Sequence, residues 1–127
     1  MSKSWRVLLN LPWTALGLLG ALLSGPAGIR VNQKLPAIII KVRSFWWLDH
    51  FPGYKGVRAA TWGNTVAEGP RLLTHDDKHE LIHVEQAMRR PFIQPFLYLM
   101  EAIKHGHQGN RYEQEAYRRA GNQYLSR

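Results

Sequence analysis

Between Val7 and Ile29 the chain carries no charged side chain: VLLNLPWTALGLLGALLSGPAGI. No other feature narrows the possible folds as much. A helix needs roughly 20 apolar residues to cross a bilayer, and this stretch is about that long. Pro12 and Pro26 interrupt it, so the spacing predicts an unbroken helix over Trp13–Ser24. A helix that short suits an interfacial or buried position better than a span. Trp5 and Trp13 can sit at headgroup level, with Lys3 and Arg6 reaching for the same layer. Two other readings stay open. One is a helix packed over the domain. The other is a secretory leader ending in Ser24, Gly25 and Ala27, which Pro26 weakens. Basic residues are denser after the segment (Arg30, Lys34, Lys41, Arg43), which, if the segment spans, places the domain on the cytoplasmic side.

The 127 residues suit a single compact unit, with 1–30 as the apolar membrane-associated or packing segment and 31–127 as the folded domain. There is no cysteine, so a metal would have to be held by His, Asp or Glu. The net charge of +8 favours an acidic partner. Nucleic acid is the weaker candidate, because no helix-turn-helix, RNA-binding or zinc-finger pattern accompanies the charge.

Ala37–Val42 (AIIIKV) is rich in β-branched residues and reads as a strand. Phe45, Trp46 and Trp47 are either core or a membrane-facing cluster, and Asp49–Lys55 is loop. Val57–Trp62 and Thr65–Glu68 flank Gly63-Asn64, a hairpin signal. Three helices follow. The first is capped by Thr74 and runs to about Arg90, where Pro91 stops it. The second starts near Pro95 and aligns Phe96, Leu99, Met100 and Ile103 on one face, which reads as packing. The third runs from Asn110 to about Tyr124. The expected class is α+β: an apolar N-terminal helix, a small antiparallel sheet with a hairpin, then three helices.

His79-Glu80-Leu81-Ile82-His83 is an H-E-x-x-H run. On a helix, residues four apart share a face, so both imidazoles can reach one ion. Glu80 lies beside them without being a ligand, placed to accept a proton from water. Leu81, Val84 and Met88 form the apolar stripe, with His79 and His83 pointing nearly the opposite way. Such histidines face solvent or a cleft. Glu85 and Arg89, four apart, read as a solvated ion pair.

Zinc requires a third protein ligand. His75 is about 12 Å along the axis from His83, too far to share an ion with it. Gln86 stands where the pattern with a nearby third histidine needs glycine, and Arg89 stands where it needs that histidine. On the last helix Glu113, Ala116, Tyr117, Ala120 and Tyr124 share the inward face, and Glu115 lies on the other side near Arg118 and Arg119. A lone carboxylate on a packing stripe is costly unless paired or bound to metal, which selects Glu113. Asn110-x-x-Glu113 also fits a capping box, and a buried arginine is a further possible partner.

The run resembles the gluzincin branch of zinc metallopeptidases, in which H-E-x-x-H is followed by a ligand glutamate on a separate helix. Glu113-x-x-Ala116 is similar to the E-x-x-A-D run of membrane-bound CAAX-type and heat-shock-type peptidases. The similarity is limited to His79–Tyr117, and Tyr117 stands where that motif closes on aspartate. It implies a zincin-like site: His79, His83 and Glu113 on Zn2+, Glu80 as general base, and an edge strand that pairs with an extended peptide. Tyr117, His105 and His107 are candidates for stabilising the transition state. The expectation is a small membrane-associated zinc metallopeptidase, a hydrolase of peptide or protein substrates. The alternative is a catalytically silent accessory subunit of a membrane protein complex.

Overall fold

The structure, a computed structural model, describes residues 4–32, 35–50, 57–73 and 75–121, without the side chains of 107 and 108. In chain order the elements are α1 (Ser4–Leu9), α2 (Leu11–Leu23), β1 (Pro26–Asn32) and β2 (Ala37–Val42). After a short 3-10 turn at Leu48–His50 come β3 (Ala59–Trp62), β4 (Thr65–Glu68), α3 (Asp76–Arg89), α4 (Gln94–Gly109) and α5 (Arg111–Ala120). The class is α+β.

Three expectations need correction. The apolar N-terminal segment holds no long apolar helix, and the expected stretch Trp13–Ser24 falls largely in α2. The segment folds as α1 and α2, and no described helix is long and apolar enough to cross a membrane. Pro12 lacks the amide hydrogen that would continue the helix ladder through this point. Its last residues, Pro26 to Ile29, belong instead to β1. Nor is the sheet antiparallel throughout. Its order is β1-β2-β4-β3, with β2 and β4 parallel and the outer pairs antiparallel. β3 occupies the far edge, so the hairpin returns with β4, not β3, against β2. Asn64 in the hairpin turn locks that register. Ile38 N donates to Asn64 O at 2.8 Å, and Asn64 Nδ2 donates to Pro36 O at 2.5 Å. Third, the apolar stripe of α4 faces outward, with Phe96, Leu99, Met100 and Ile103 all exposed. The face turned inward carries Gln94 and Tyr98. α3 is capped at His75, not Thr74, and α5 stops at Ala120 before the left-handed Gly121, short of Tyr124; Thr74, Pro52, Gly53 and Tyr124 themselves lie outside the described residues.

β2 and β4 are covered on both faces, while β1 is exposed along nearly all its length. On one face, Ala21 of α2 packs with Ile40, Val42, Phe45, Leu48, Val57 and Ala67. Trp47 stacks on Trp62 beside it, whereas Trp46 is exposed, so the aromatic triplet is divided between core and surface. On the other face, Val84 and Met88 of α3 cover Ala37, Ile39 and Val66. α5 packs on α3 through Ile82, Ala116 and Ala120. Close approach of α2 requires glycine: a Cβ on Gly17 would lie 2.8 Å from the Thr65 Cβ. Gly63 in the hairpin turn has φ +57°, and a Cβ there would meet Thr14 N at 2.8 Å.

Asn10, fully buried at the α1–α2 junction, ties the N-terminus to three other segments. Its Nδ2 donates to Ala87 O at 3.1 Å and to Asn64 Oδ1 at 3.2 Å, and its Oδ1 accepts from Phe92 N at 2.9 Å. Truncating it leaves several buried polar atoms without these partners. Asn10→Ala is expected to destabilise the protein by about 2 kcal/mol in chemical denaturation; a loss under about 0.5 would show the junction to be dispensable.

Candidate metal centre

Because Val84 and Met88 fasten one face of α3 to the sheet, His79 and His83 on the opposite face turn into a cleft. The start of α5 is set by Asn110, whose side chain accepts from Tyr112 N at 2.9 Å. That cap, with the packing of Ala116 and Ala120 on Ile82, brings Glu113 to the histidines.

Glu113 Oε1 lies 3.0 Å from His79 Nε2 and 3.1 Å from His83 Nε2, and the two Nε2 atoms are 3.1 Å apart. The three form a tight triangle, buried or nearly so. Ligands about 2.0–2.1 Å from a tetrahedral zinc stand about 3.3 Å apart, so the donors match such an edge to a few tenths of an ångström. The donor set of two imidazoles and one carboxylate leaves the fourth position for water or substrate. This is the cluster of metal-binding type found among the described residues.

The triangle is costly unless a proton or a cation lies among its donors. Burial works against charge on His83, but the Glu113 carboxylate outweighs it and raises the pKa to about 9. Burial would likewise raise Glu113, yet the His83 charge and hydrogen bonds from His79, His83 and Tyr98 hold it well below the usual carboxylate range.

Supporting contacts fix the ligands. His83 Nδ1 lies 2.9 Å from Gln86 Oε1, which orients the ring with Nε2 toward Glu113. Gln86 is fully buried, and its Nε2 donates to Tyr112 O at 3.0 Å and Glu115 Oε1 at 2.7 Å. Tyr98 donates its hydroxyl to Glu113 Oε2. The Tyr117 ring meets His79 edge-on, with centroids 4.3 Å apart, where the similar motif has aspartate. Glu80 is buried beside the triangle, its Oε1 accepting from Thr61 Oγ1 at 2.6 Å and its Oε2 4.0 Å from His79 Nε2. Glu80, the triangle and β3, an edge strand, line one cavity of about 350 Å³.

Glu115 stays outside, bound by Gln86, Arg89 and Arg119. Glu85 pairs with Arg89 at 2.6 Å. His75 and His105 are exposed and stand apart from the triangle; the His107 side chain lies outside the described residues. The supporting roles of Tyr98, Gln86 and Thr61 depend on tertiary contacts. Tyr98 alone leaves a trace in the sequence, a polar tip about 200° around α4 from Phe96.

Comparison of the chain with protein-family models, curated proteins and solved structures returned no match. The functional reading therefore rests on the site.

Binding of a cation displaces the His83 proton, so affinity should increase with pH. Zinc binding measured by competition with a chelator is expected to tighten about tenfold per pH unit from pH 7 to pH 9, then level off. A flat profile would mean no proton leaves. Gln86→Leu is expected to weaken zinc binding about 10- to 100-fold with the fold retained, read by the same titration and circular dichroism.

Proposed function

We propose that the protein is a zinc metallopeptidase that works at a membrane surface on its cytoplasmic side. The observation that carries this reading is the meeting of His79, His83 and Glu113 within hydrogen-bond distance of one another, with Glu80 beside them in an open cavity. His79, His83 and Glu113 are the zinc ligands. A bound zinc ion supplies Lewis acidity, polarising a carbonyl oxygen and lowering the pKa of water toward ~7.

The chain's own residues do the rest. Glu80 receives the water proton on its carboxylate and passes it to the leaving amine. Thr61 holds that carboxylate by donating to Oε1, which leaves Oε2 as the proton acceptor. Gln86 keeps His83 in the tautomer whose Nε2 is free to ligate. Tyr98 steadies Glu113 through its second oxygen. β3 presents the free edge of the sheet beside the site, where an extended peptide can add as a further strand. The gluzincin likeness agrees with these roles.

An accessory subunit that hydrolyses nothing is the competing proposal. Glu80 is what separates the two, since a binding scaffold has no use for a buried carboxylate held over the metal ligands. Purified protein is expected to carry about one zinc per chain by elemental analysis and to cleave an unstructured reporter polypeptide. Glu80→Gln should reduce cleavage at least 10³-fold while zinc content stays the same. Zinc-loaded protein whose activity is indifferent to Glu80→Gln would favour the accessory reading.

A further inference from the structure

α2 packs on the sheet with Thr14, Gly17, Gly20 and Ala21. Its outer half consists of Leu11, Pro12, Ala15, Leu16, Leu19, Leu22 and Leu23, all exposed and none polar. Water-facing helix surfaces ordinarily carry charged and polar side chains. The exposed stripe of α4 shows the same inversion at Phe96, Leu99, Met100 and Ile103. The two surfaces join. Trp13 of α2 packs against Phe92 and Phe96, with centroids 6.0 Å and 5.5 Å away, and its Nε1 donates to Phe92 O at 2.9 Å. An apolar surface this continuous requires a cover.

Its charge setting selects the cover. Residues 1–48 contain no Asp or Glu and six Lys or Arg; one of the six, Arg30, pairs with Glu68 and Asp77 away from this surface. Arg43 lies beside Gly25 just past the end of α2, where exposed Trp46 donates to Leu23 O. Arg6 sits over the exposed Trp5 ring at the other end. Lys104 is exposed next to Ile103 on α4. Tryptophans and cations bordering an apolar face are the pattern of a helix lying in a lipid headgroup layer. Two such cationic faces repel each other, which disfavours a second copy as the cover. Spanning is ruled out for α2 by length: 13 residues rise about 20 Å against a hydrocarbon core of about 30 Å.

We infer that the outer faces of α2 and α4 form one docking surface that lies flat on an anionic bilayer. Trp13, Phe96 and Leu99 belong both to this surface and to the lining of the metal cavity. The cavity mouth therefore opens at the bilayer, and the polypeptide it receives is one lying at the lipid–water interface. The mouth's role in substrate entry rests on the peptidase reading; the docking surface does not.

The test is sedimentation of the full chain with vesicles of phosphatidylcholine and phosphatidylglycerol at 3:1, set against vesicles of phosphatidylcholine alone. Binding is expected to the first and to be at least tenfold weaker to the second. Leu16→Glu with Leu19→Glu, or Met100→Glu with Ile103→Glu, should each lower binding at least tenfold, with circular dichroism and zinc content unchanged. Absence of wild-type binding, or binding that both double variants keep, overturns the inference, as does a stable dimer in analytical ultracentrifugation that buries this face without lipid. Glu80→Gln should bind vesicles as the wild type does, so docking and hydrolysis can fail independently.

Discussion

A carboxylate buried between two imidazoles is unfavourable unless a proton or a cation lies among them. Glu113 is in that position, and it couples α5 to α3 where the site is built. The surrounding structure holds the contact closed. Val84 and Met88 clamp α3 to the sheet, Ala116 and Ala120 clamp α5 to Ile82, and Gln86 spans both helices at the level of the ligands. Geometry built in advance reduces the reorganisation that metal binding requires. It also explains the raised pKa of His83, because the proton occupies the place of the cation.

The sheet connects that centre to the rest of the molecule. The parallel pairing of β2 with β4 sends β3 to the edge, and β3 brings Thr61 to Glu80. An antiparallel meander would have put β3 inside the sheet instead of at its edge beside the triangle. Asn64 and Asn10 hold this arrangement from one side, through hydrogen bonds to the chain before β2 and to the end of α3. The N-terminal helices are thus part of the domain's packing on their inner side and apolar on their outer side.

The reasons for what was legible are local. H-E-x-x-H on a helix places two imidazoles together by periodicity alone, and Glu113 stood out as a carboxylate on an otherwise apolar stripe. β2 and the Gly63-Asn64 turn follow from β-branched composition and turn chemistry. β1 was obscured because PAGIRVN begins inside the uncharged stretch, and its pairing with β2 is long-range. The stripe on α4 misleads because periodicity reports that a helix is two-sided without reporting which side is wet.

The sequence by itself determined which imidazoles share a helix face, that a glutamate stands on the inward stripe of the last helix, and that no thiolate can take part. These are properties of spacing and residue type. The tertiary structure decided what spacing cannot encode. It brought the histidines of α3 and the glutamate of α5, 30 residues apart at the nearest, to within 3.1 Å. It supplied Gln86, Tyr98 and Thr61 as their supports. It also turned the apolar sides of α2 and α4 outward, because close packing of Gly17 and Gly20 on the sheet directs the leucines of α2 away from it.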